Sequence, residues 1–143
     1  MESKMMKKIV IVLSTFTVIN SYDSYKNLLD KDFEKKNDMN KYEDDNVILY
    51  RSELYKSHIF GKKKSDKSYV AYMPTSAGSV RILEKDGHKY TFREECATKT
   101  TTLGINTAAF ERYVETSFND AELTFETGQM QINPTDVFSL GEK

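Results

Sequence analysis

Thr107–Phe118, TAAFERYVETSF, is the stretch whose reading decides the fold. Ala109, Phe110, Tyr113, Val114 and Phe118 recur at helical spacing and mark one apolar face. Glu111, Arg112, Glu115 and Thr116 take the other face. Asn106 or Thr107 supplies an N-cap oxygen for the free backbone N–H groups of the first turn. A hairpin is readable on each side of this helix.

Downstream, Glu122–Asn133 alternates like a hairpin with Thr127–Gly128 as its turn. Phe125 then opposes Met130 and Leu123 opposes Ile132, giving one apolar face to cover the helix. Upstream, Val80–Arg93 reads as a hairpin around Asp86–Gly87, a pair suited to a two-residue turn. That turn sets Glu84 opposite Lys89, Leu83 opposite Tyr90 and Ile82 opposite Thr91.

The remaining chain is less regular. Ser21–Met39 reads as a helix, with Tyr25, Leu28, Leu29 and Phe33 as its stripe. Asn37–Asn46 is polar and reads as a loop. Val47–Tyr50, Tyr55–Phe60 and Tyr69–Met73 read as strands, the last stopped by Pro74. Gly61–Ser68 is a basic loop, Pro74–Ser79 a connection, and Glu94–Ile105 holds a further strand. The fold class expected is α+β, a single domain over 1–143, with an antiparallel sheet of about five to seven short strands packed against two helices.

The N-terminus has two readings. Lys7 and Lys8 precede Ile9–Ile19, which resembles a signal peptide starting at Met5 or Met6. Yet the run is β-branched, holds Ser14, Thr15 and Thr17, and is followed by no small-x-small cleavage site. A buried strand in residues 1–20 explains it better, with a cytoplasmic location; the alternative is a secreted or surface binding domain.

The chain of 143 residues carries 30% charged residues and a net charge of −1, which points to no nucleic-acid or membrane partner for the molecule as a whole. The charge is segregated. Residues 61–100 sum to +4 and residues 101–143 to −5. Cys96 is the only cysteine, so no internal disulfide forms. No apolar run reaches the roughly 18 residues that span a bilayer.

Few residues offer chemistry. His58 and His88 lie in no metal-binding spacing, and neither a metal nor a cofactor is expected. His88 with Glu94 or Glu95 as acid and base, and Arg81 on the phosphate, would suit a small metal-independent nuclease or phosphate-handling enzyme. Lys62, Lys63 and Lys64, or the hydroxyls of Thr75, Ser76 and Ser79, are candidates to hold a phosphate or polyanion, nucleic acid included. Cys96 follows Glu94 and Glu95, which disfavour a thiolate. The acidic tail offers more: Glu111, Glu115, Asp120, Glu122 and Glu126 could dock on a partner protein with a basic surface. The leading expectation is a non-enzymatic interaction module, an inhibitor or accessory subunit. In composition the chain resembles small phage or mobile-element proteins, rich in Lys, Asn, Asp, Tyr and Ile and without Trp, but no motif supports that.

Overall fold

The computed structural model describes residues 20–131 apart from 97 and 105. Ile9–Ile19 therefore lies outside the described residues, as does Ile132. Eight strands form one antiparallel sheet in chain order, each paired with its neighbours in sequence. They are β1 (Glu34–Lys36), β2 (Met39–Glu43), β3 (Val47–Arg51), β4 (Ile59–Lys63), β5 (Tyr69–Pro74), β6 (Val80–Asp86), β7 (Lys89–Glu95) and β8 (Thr100–Thr102). A short helix α1 (Asn20–Leu29) precedes them, and one long helix α2 (Thr107–Thr127) follows. A 3-10 turn, Glu53–Tyr55, joins β3 to β4. The α+β class is as expected, but among the described residues the sheet has eight strands and only one of the two helices is long.

The helix expected over Ser21–Met39 ends at Leu29. Asn37 and Asp38 sit at φ 55° and 63°, which Asn and Asp tolerate, and they form the two-residue loop of the β1–β2 hairpin. This left-handed turn chemistry outweighs the short apolar stripe, and half of the loop expected at Asn37–Asn46 is β2. The strand expected at Tyr55–Phe60 begins at Ile59, because Ser52 caps the 3-10 turn through Leu54 N–H and Lys56 ends it in the left-handed region. The basic loop shrinks correspondingly, since Gly61–Lys63 belong to β4.

The β6–β7 hairpin forms with its turn moved by one residue. Asp86 pairs with Lys89, so Gly87 (φ 66°) and His88 make the loop. Glycine then takes the first central position, where the left-handed conformation is needed. Leu83 opposes Phe92 instead of Tyr90. The opposing strand shifts by two residues, so every side chain keeps its face.

The main correction concerns the C-terminal third. Glu122–Asn133 is not a hairpin: α2 runs on through it to Thr127. Gly128 is the left-handed helix cap, φ 77°, with its N–H donating to Thr124 O at 2.7 Å. At the other end Asn106 Oδ1 accepts from Ala108 N–H at 3.0 Å. Phe110, Tyr113, Val114, Phe118, Ala121 and Phe125 make one continuous buried stripe.

That stripe is covered by the sheet, not by a hairpin. Tyr50, Phe60, Ala71, Met73, Leu83 and Phe92 form the facing layer. Phe92 stacks on Phe110 at 4.0 Å, and Tyr50 meets Phe118 edge-on at 5.3 Å. The opposite face buries Leu49, Ile59, Val80 and Ile82 with Tyr25 of α1. Asn37 ties the first hairpin to the helix end, its Nδ2 donating to Phe125 O at 3.1 Å.

Candidate functional site

The long helix draws four glutamates into line. At about 100° per residue, Glu111, Glu115, Glu122 and Glu126 fall within an arc of about 60° and span about 22 Å along the axis. Glu115, Glu122 and Glu126 are exposed and Glu111 is half-buried. Among the described residues none of the four forms an ion pair. Asp120 does not belong with them. It is buried, accepting from Tyr55 Oη and, at 2.7 Å, from Gln131 N–H. Helical periodicity explains this, because Asp120 lies well off the line of the four glutamates.

The acidic line borders a row of aromatic and basic side chains from the sheet. Tyr69 Oη donates a long bond to Glu115 at 3.5 Å. Lys62 Nζ stands 5.4 Å from the Tyr69 ring, and Lys41 Nζ 5.6 Å from the Phe125 ring. The glutamates make themselves felt here. Burial, then Glu115, pushes the Tyr69 phenol up, and burial followed by Glu122 and Glu126 does so for Tyr50. Burial is again the main cause at Tyr90, with Glu111 and Glu115 adding to it. Lys41 and Lys64 pair with Glu43, at 3.3 Å and 2.7 Å.

The other candidates are not gathered together. His88 is exposed at the β6–β7 tip, about 20 Å by strand rise from Glu94 and Glu95. Glu94 and Glu95 point to opposite faces, as successive strand residues must. Glu94 pairs with Arg81 at 3.0 Å; Glu95 is buried and accepts from Arg93 Nε at 2.8 Å. Lys62 and Lys63 likewise point to opposite faces, and Lys63 pairs with Glu84 at 3.6 Å. The Thr75–Ser79 loop bonds to itself: Thr75 Oγ1 lies 2.7 Å from Ser79 Oγ and accepts from Ser79 N–H at 3.2 Å, while Ser76 is exposed. It sits at the far end of β5 from the lysines.

His58 is buried and shares a 3.2 Å hydrogen bond through Nδ1 with Tyr113 Oη. Burial pushes its pKa down to about 4, with Lys56 adding to the effect. Among the described residues no three His, Cys, Asp or Glu side chains converge on one point, and no helix is long and apolar enough to cross a membrane. Sequence reasoning missed Tyr69 and Lys41 beside the line, and named Lys62 only as a polyanion contact. The spacings 4, 7 and 4 between the glutamates would have shown the line, had the helix been carried past Phe118. Comparison with protein-family models, curated proteins and solved structures finds no match.

Proposed function

We propose that this chain is a non-enzymatic interaction module, an inhibitor or accessory subunit, that presents the acidic line of α2 to a basic surface on a partner protein. The observation that carries the reading is the line of half-buried Glu111 and exposed Glu115, Glu122 and Glu126, none of them in an ion pair among the described residues. Like charges at i,i+4 cost an isolated helix a few tenths of a kcal/mol each. A partner's lysines and arginines would neutralise them, and the bordering tyrosines would add apolar contact area. The expected surface is the helix edge alone, without Asp120 and without a hairpin.

The test uses the full chain as bait in an extract of its native host, followed by association kinetics with the captured protein. Glu111→Lys, Glu115→Lys and Glu122→Lys together should slow association about tenfold or more at low salt. The variant should also lose the wild type's dependence on ionic strength. An on-rate unchanged in the triple variant would overturn the proposal.

A further inference from the structure

Among the described residues the sheet has two ends, and they differ in chemistry. β1 ends it with Glu34, Lys35 and Lys36, charges of the kind that discourage a further strand. β8 ends it with Thr100, Thr101 and Thr102, all exposed and all neutral. It carries no proline and no inward-pointing charge.

The hydrogen-bond ladder fixes which backbone groups face outward from β8. Leu103 N–H donates to Phe92 O at 3.1 Å, and Cys96 N–H donates to Lys99 O at 3.0 Å. Antiparallel pairs alternate between bonded and non-bonded. Glu94 and Thr101 are therefore the bonded pair between those two, and Arg93–Thr102 and Glu95–Thr100 are non-bonded. The N–H and C=O groups of Thr100 and Thr102 consequently point away from β7. Among the described residues no hydrogen bond satisfies them.

We propose that this edge joins two copies of the chain in a twofold-symmetric dimer through antiparallel pairing of β8 with β8. The edge is complementary to itself. With Thr101 of each copy opposite the other across the twofold axis, Thr100 of one copy faces Thr102 of the second. Each such pair exchanges both of its backbone bonds. The side chains that then meet are threonines, which pair well across strands. The charges behind them are matched internally, Arg81 with Glu94 and Arg93 with Glu95, so no like charges confront each other. A net charge of −1 sets little repulsion between copies. The chemistry names a second copy over an unrelated peptide, because three threonines offer no pockets to select a foreign sequence.

Sedimentation equilibrium of the full chain, up to about 1 mM, tests the proposal. The expected result is a reversible dimer. Thr102→Pro deletes an outward N–H that β7 does not use, and should weaken dimerisation at least about tenfold with folding intact by circular dichroism. Thr101→Lys and Thr101→Glu each place like charges opposite one another, and each should weaken self-association about fivefold or more. Mixing these two variants should restore dimers as the Lys–Glu heterodimer, which a merely misfolded variant could not do. A chain that stays monomeric, a dimer indifferent to these substitutions, or a mixture that fails to pair would each overturn the proposal.

Discussion

Gly61 occupies the middle of β4, where glycine would ordinarily weaken a strand by roughly 0.5–1 kcal/mol relative to alanine. Here the reverse holds. A Cβ at this position would come within 2.6 Å of Leu49 Cδ2 and 2.9 Å of Val70 Cγ2. Leu49 and Val70 are both buried, so their movement disturbs packing already in place. Gly61→Ala should destabilise by about 1–3 kcal/mol, read as a lower urea midpoint with an unchanged slope. His58 makes the second argument at this scale. Its pKa lies at about 4 when folded and near 6.5 when unfolded. The unfolded chain therefore takes up the extra proton, and stability falls as pH drops from about 6.5 to about 4. The slope from this one group approaches about 1.4 kcal/mol per pH unit inside that window and vanishes above it. His58→Gln should flatten unfolding free energy against pH across the same interval. The sequence could not name Tyr113 as the partner of His58, because 55 residues separate the two.

Helix α2 shows how an element's ends decide its identity. Glu122–Asn133 alternates well enough to pass for a hairpin, and Thr127–Gly128 suits a turn. The same glycine suits a helix end, and the 3.6-residue stripe from Phe110 to Phe125 favours that use. Two periods competed over a short window, and only the longer helical run resolves them. Gly128→Ala forces a Cβ into the left-handed region and brings it 3.3 Å from Asn37 Cγ. A loss of about 1–2 kcal/mol is expected, measured by denaturant unfolding and accompanied by fraying of the last turn in hydrogen exchange. The first hairpin was hidden for a related reason. Its loop is Asn37–Asp38, a pair equally at home in a polar connection, and its strands carry little alternation. By contrast β5 and the β6–β7 pair were plain, since alternation, Pro74 and Gly87 all point one way.

For the molecule as a whole, class and handling of charge were legible while arrangement was not. The acidic balance of the last third resolves into a line only because the helix is long. The basic middle disperses, with Lys64 engaged by Glu43, Lys63 by Glu84 and Lys62 standing over the Tyr69 ring. Strand order, a matter of long-range pairing, turned out to follow the chain. That order has a consequence during synthesis. Each strand can pair as soon as its successor emerges, with only short loops to close. Helix α2, which covers the inner face, comes last among these elements. At ordinary translation rates the roughly 30 residues from the end of β7 to the end of α2 take about 2–6 s to make. Through that interval Tyr50, Phe60, Leu83 and Phe92 face outward on a partly built sheet. The nascent chain thus passes through a sticky stage that the finished protein conceals, and a chaperone on the ribosome would meet it there.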